Sequence, residues 1–211
     1  MKNMNIFSKN FRGWQGVSYI LLLSLLLLSY TSCSEDDSAT DEYANWQERN
    51  EAVTTQWAAS GMKKIRVYTQ NETPAGKSSD YIYVEELERG NGTESPLFTD
   101  TVYVAYRGRF IPTTDHPDGY VFDQTFINDF TWQTANASKG QTAGFVTGFT
   151  TALMNMHVGD RWRVHIPYQL GYGAAGQKTI RGYTNLVFEI ALYDYWSLGE
   201  TRPAFRAREK E

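Results

Sequence analysis

The chain has 211 residues, 41% of them hydrophobic and 15% aromatic, with a formal net charge of −4 at neutral pH. That length suits one substantial domain with extensions. An acidic balance without a basic run argues against nucleic acid as a partner, because such affinity rests on Lys and Arg contacts to phosphate. A single cysteine excludes an internal disulfide.

In chain order, Lys2, Lys9 and Arg12 precede an apolar run from Val17 to Leu28. The run is short for a membrane span, which takes roughly 20 apolar residues, and fits the hydrophobic region of a secretory signal. It leads through Ser29-Tyr30-Thr31-Ser32 into Cys33. This arrangement resembles the lipobox of bacterial lipoproteins, with Tyr30 where leucine is usual. The resemblance implies a signal peptide over 1–32 and acylation of Cys33, which becomes the mature N-terminus; the alternative is an ordinary signal with an incidental cysteine. Removing 1–32 takes away three cations and no acid, so the formal charge falls to −7. Residues 33–40 contain Ser34-Glu35-Asp36-Asp37-Ser38, an acidic tether that is disordered by composition. The expected place is the cell envelope, lipid-anchored at the outer membrane, with the periplasmic or surface face open.

Residues 41–79 read as a helical extension and linker. Tyr43, Trp46, Asn50, Val53 and Trp57 recur at steps of three and four, predicting a helix over Asp41 to Ala59 that stops near Gly61. Ile65 to Tyr68 suits a short strand, and Thr73 to Ser79 is loop chemistry. From 80 to 196 the period changes to two. Strands are predicted at Tyr81–Leu87, Thr101–Arg107, Arg161–Ile166 and around Leu186, Phe188, Ile190 and Leu192. Each has one polar face, as expected of an antiparallel sheet with one solvated side. Phe149, Ala152, Leu153 and Met156 form the apolar stripe of one short helix to cover the other side, with Thr150 and Thr151 near its opposite face. The predicted class is α+β: an antiparallel β-sheet wrapped around one short α-helix, with an N-terminal helical extension and a polar tail over 197–211.

No His, Cys, Asp or Glu set has metal-ligand spacing, and neither a G-x-S-x-G elbow nor a Walker-type phosphate loop occurs. No metal or cofactor is expected. His165 falls on the solvated strand face, which does not suggest catalysis.

An ordered series of motifs remains. It runs from Tyr106-Arg107-Gly108 and Asp118-Gly119-Tyr120-Val121-Phe122-Asp123 to Val146-Thr147-Gly148-Phe149 and Met156-His157-Val158-Gly159. Ile166-Pro167 to Tyr172-Gly173 and Leu186-Val187-Phe188-Glu189-Ile190 follow. Together these resemble the FKBP-type peptidyl-prolyl cis-trans isomerases over about Tyr81 to Tyr195. The resemblance implies rotation of X-Pro peptide bonds in exported polypeptides, without covalent chemistry, in an aromatic cup. It assigns Tyr106, Phe122 and Phe188 to the walls and Phe149 to the floor. It gives Val146 a backbone N–H that bonds a substrate carbonyl, Tyr172 a hydroxyl that donates to a second carbonyl, and Asp123 a carboxylate at the edge. Phe145 and Ile180 are assigned to substrate binding.

Four places depart from the family pattern. Phe145 replaces a smaller aliphatic residue, and Arg181-Gly182 follows Ile180 where proline is usual. Ile111 to Asp118 reads as an insertion. The long stretch Gln124 to Gly144 leaves Phe130 and Trp132 competing for one further wall position. Implied partners are proline-containing polypeptides, ligands of the tacrolimus or rapamycin type, and a membrane through the lipid anchor. The competing functions are a non-catalytic FKBP-fold binding or chaperone lipoprotein and a component of a surface uptake complex.

Overall fold

Side-chain alternation along the strands divides the sheet into two faces that bury different things. The computed structural model describes residues 41–70, 76–202 and 204–205. The expected signal segment, Cys33, the tether, part of the predicted loop and the end of the tail lie outside the described residues. The described strands are β1 (Lys63–Arg66), β2 (Tyr81–Glu88), β3 (Thr101–Phe110), β4 (Val121–Gln124), β5 (Ser138–Gln141), β6 (Arg161–Ile166) and β7 (Leu186–Trp196). Their order is β1-β2-β6-β7-β3-β4, with β5 also on β3, and all pairs are antiparallel. Two helices accompany them, α1 (Trp46–Ala59) and α2 (Thr147–Leu153). The α+β class is as expected. Strand β1 begins two residues earlier than predicted, while β4 and β5 carry no alternation that would have announced them.

On the inner face Val102, Val104, Trp162, Val164, Ile166, Leu186 and Ile190 are buried against Phe149, Ala152 and Leu153 of α2. The helix ends at Leu153, earlier than its stripe suggested, yet Met156 is still buried just beyond it. Thr150 and Thr151 are buried as well, contrary to expectation. Their hydroxyls donate to Thr142 O (2.7 Å) and Thr147 O (2.8 Å), so neither enters the core with an unmet polar group.

The outer face is not simply solvated. Trp57 of α1 lies over Tyr83 and His165, with ring centroids 6.4 and 5.0 Å apart. Farther along, Phe126, Phe130, Trp132 and Phe205 pack over Ala105, Ala191 and Tyr193 in a second apolar cluster. The stretch after β4 therefore folds back onto the sheet. At the register shift between Tyr103 and Val104, Tyr193 is the extra residue of β7, and its ring joins this cluster.

His165 belongs to the α1 seam. Its Nε2 lies 2.7 Å from Glu85 Oε1, while its buried Nδ1 has no hydrogen-bond partner among the described residues. Facing a carboxylate, Nε2 holds the proton of the neutral ring and leaves Nδ1 bare; a second proton there would find no acceptor. Burial lowers the His165 pKa, with the Glu85 contact opposing it. The unfolded chain takes up this proton near pH ~6.5, so it binds more protons than the folded chain just below that value. Stability is expected to fall as the pH drops from 7.5 to 5. Urea midpoints should show a smaller drop in His165→Gln than in the wild type, and equal drops would contradict the assignment.

Candidate active site

Between α2, β4, β7 and the segment before α2 lies a cavity of about 390 Å³. Its floor is Phe149, 1% exposed. Tyr106 and Phe188 stand edge-on to the Phe149 ring at 5.8 and 5.0 Å, and Phe145 stacks on it at 4.5 Å with planes 17° apart. Phe122 completes the wall, edge-on to Phe188 at 5.4 Å and stacked on Phe110 at 5.2 Å. Offset and edge-to-face contacts of this kind hold rings in fixed orientations.

Two backbone features place these rings. Gly108 pairs with Asp123 and Arg109 with Val121, so Phe122 is the extra residue of a bulge, a device that re-aims a side chain. Gly108 itself leaves the space the walls need: a Cβ there would stand 2.5 Å from Phe188 and 2.6 Å from Phe122. This is the physical content of the Tyr106-Arg107-Gly108 motif. On the other side, a Cβ on Gly140 would meet the Phe145 ring at 2.9 Å.

The polar groups converge at one edge. Tyr106 donates from its hydroxyl to Asp123 Oδ2 at 2.8 Å. Its pKa is raised well above the ordinary phenol value, first by burial and then by that carboxylate. The Tyr172 pKa is also raised, by burial and then by the charge of Asp123. Both phenols therefore stay protonated at neutral pH and remain donors. The Tyr106 proton is engaged by Asp123, whereas the Tyr172 hydroxyl has no hydrogen-bond partner among the described residues. Val146 directly precedes α2, where first-turn N–H groups have no acceptor inside the helix.

Eight of the predicted residues line this one cavity: Tyr106, Phe122, Asp123, Phe145, Val146, Phe149, Tyr172 and Phe188. Ile180 does not; it pairs with Gln177 and packs on the main core. Gln177 and Gly144 line the cavity instead, and sequence reasoning had not singled them out. Only the position of Gln177 in the glycine-rich stretch after Tyr172 could have drawn notice. Neither candidate for the further wall position reaches the cavity. Phe130 and Trp132 stack with each other at 5.1 Å and lie in the outer cluster, where Trp132 Nε1 donates to Glu88. Arg181, where the family has proline, lies 4.4 Å over the Tyr43 ring.

This aromatic cup beside two phenols and a carboxylate, on a sheet wrapped over one helix, defines a class of protein. The profile described as FKBP-type peptidyl-prolyl cis-trans isomerase matches residues 92–193. The FKBP-type 22 kDa peptidyl-prolyl cis-trans isomerase of Escherichia coli is 31% identical over 157 residues, covering 70% of this chain and 67% of that protein. The macrophage infectivity potentiator of Trypanosoma cruzi is 28% identical over 214 residues, covering 97% of this chain and 91% of the other. Among solved structures, a peptidyl-prolyl cis-trans isomerase from Pseudomonas syringae superposes with a TM-score of 0.53 at 27% identity, over 72% of this chain and 95% of that one. The chain belongs to the FKBP-type peptidyl-prolyl cis-trans isomerases, and its activity is rotation about peptide bonds that precede proline.

Proposed function

We propose that this isomerase is a lipoprotein of the cell envelope that turns X-Pro bonds of exported polypeptides in the cup over Phe149. Peptide resonance sets a rotation barrier of about 18–20 kcal/mol. The two X-Pro isomers are close in energy but exchange over tens to hundreds of seconds, slowly enough to limit folding. Acceleration requires only that the twisted amide be held better than the planar one. A twisted amide has a less polar C–N unit and gains from leaving water for an aromatic cup. Phe122, Phe188 and Tyr106 flank the proline ring over Phe149, while Phe145 contributes beside it. The Val146 N–H and the Tyr172 hydroxyl hold flanking carbonyls and fix the chain while the bond turns. Asp123 sets the Tyr106 hydroxyl and the field at the edge.

The observation that carries this reading is the convergence of eight predicted residues on one cavity, with an unengaged phenol donor at its edge. In an assay of exchange in a proline peptide, Tyr172→Phe should lower kcat/KM by about three- to tenfold, the worth of one hydrogen bond. The wild-type rate should be flat from about pH 7 to 9, since both phenols titrate above the ordinary value of ~10. An unchanged rate in Tyr172→Phe would remove that residue from the mechanism.

The anchor rests on Cys33 following the apolar run. Several acyl chains, each CH₂ contributing roughly 0.8 kcal/mol, would hold the protein at the outer membrane. Cys33→Ser should shift it from the membrane fraction to the soluble one. Ligands of the tacrolimus or rapamycin type are expected to compete with substrate for the same cup.

A further inference from the structure

The segment from Tyr168 to Asn185 carries Tyr172 outward and returns through Ile180 and Arg181. Its two ends meet at a buried polar junction, and the other half of that junction is α1. Asn185 is fully buried. Its backbone N–H donates to Asn50 Oδ1 at 2.8 Å, and its Nδ2 donates to Asn50 O at 2.7 Å and Thr54 Oγ1 at 3.0 Å. Its Oδ1 accepts from Tyr168 N–H at 2.9 Å, which joins the outgoing end of the loop to the returning one. One turn earlier on α1, Trp46 Nε1 donates to Thr184 Oγ1 at 2.9 Å, and that hydroxyl donates to Arg181 O at 2.8 Å. Nearer the surface, the Tyr168 hydroxyl donates to Glu51 Oε1 at 3.2 Å.

The junction continues to the cup through the loop backbone. Gly173 N–H donates to Tyr168 O at 2.8 Å, and Tyr183 N–H donates to Gly173 O at 3.0 Å, so the neighbour of Tyr172 is tied to both ends. Apolar packing through Trp46, Val53 and Trp57 also attaches α1. At this junction, however, the contact buries amides, threonine hydroxyls and an indole N–H, which gain little net energy and impose one geometry when every member is satisfied. We infer that α1 is a positioning element of the isomerase site: through Asn50 and Trp46 it fixes the Tyr168–Asn185 loop and so holds the Tyr172 hydroxyl at the cup before substrate arrives. The inference rests on the reading of Tyr172 given above. Asn50 and Trp46 touch no substrate; they act through the loop.

A double-mutant cycle on the full chain tests it, combining Asn50→Ala with Tyr172→Phe and reading both kcat/KM for a proline peptide and the melting temperature. Asn50→Ala should lower kcat/KM about fivefold in the wild-type background and have almost no further effect once the Tyr172 hydroxyl is gone. The fall in melting temperature should be the same in both backgrounds. Trp46→Phe keeps a ring in place but removes the donor to Thr184; it should show the same pattern, and it decides the matter if Asn50→Ala does not fold. Equal losses of kcat/KM with and without the Tyr172 hydroxyl, or no loss from either α1 variant, would overturn the inference and leave α1 a stabilising element. A Tyr172→Phe variant with wild-type kcat/KM would overturn the reading of Tyr172, and the positioning role with it.

Discussion

Phe149→Ala is expected to lower the stability of the protein by about 3–5 kcal/mol and to leave no measurable isomerase activity. Phe149 is 1% exposed, and Tyr106, Phe145 and Phe188 all pack on its ring. Alanine would leave a void beneath the cup that its neighbours fill only in part. Tyr106, Phe145 and Phe188 would then lose the surface that orients them, so folding and catalysis fail together. Urea denaturation and a proline-peptide assay check the two halves. A stable, fully active Phe149→Ala protein would show that the floor lies elsewhere.

Phe122→Ala is expected to separate what Phe149→Ala joins. Phe122 is the bulged residue of β4, half-buried, with its ring in the cup and its support in Phe110 and Phe188. Losing those ring contacts costs stability on the order of 1 kcal/mol. Losing the apolar wall against a proline ring removes about 1.5–3 kcal/mol of transition-state contact, or roughly 10–100-fold in kcat/KM. The expected result is a folded protein with a small change in urea midpoint and a large loss of activity. A loss of stability as great as in Phe149→Ala would mean that Phe122 belongs to the core rather than to the site.

The reach of the sequence was set by which residues act through local pattern. Alternation in Thr101–Arg107 and Arg161–Ile166 announces the inner face because each strand packs there on α2. Ser138–Gln141 has no apolar alternation and forms β5 only because β3 offers an unpaired edge. The cover on the outer face was illegible for a related reason: Ala105 and Ala191 are too small to signal burial, and they are buried by aromatics from a stretch twenty or more residues away in the sequence. That same burial removes Phe130 and Trp132 from the cup, a choice the sequence left open because both aromatics suit either place.

The site was more legible than the fold around it. Its motifs are short-range devices, such as the glycine that admits two rings and the residue that opens α2, so matching them picked out eight residues that line one cavity. Gln177 was missed because its approach to the cavity depends on how the loop after Tyr172 returns. Asn50 was seen as part of a helical stripe, but its polarity there had no reading until Asn185, 135 positions away, was brought against it.

The most direct test of the central claim is exchange of a proline-containing peptide measured by NMR with the soluble chain beginning after Cys33. The rate of cis–trans exchange should rise in proportion to protein concentration, from an uncatalysed timescale of tens to hundreds of seconds, and the rise should be largely lost with Phe122→Ala. Peptide that binds the folded protein in the cup while its exchange rate stays at the uncatalysed value would contradict the account.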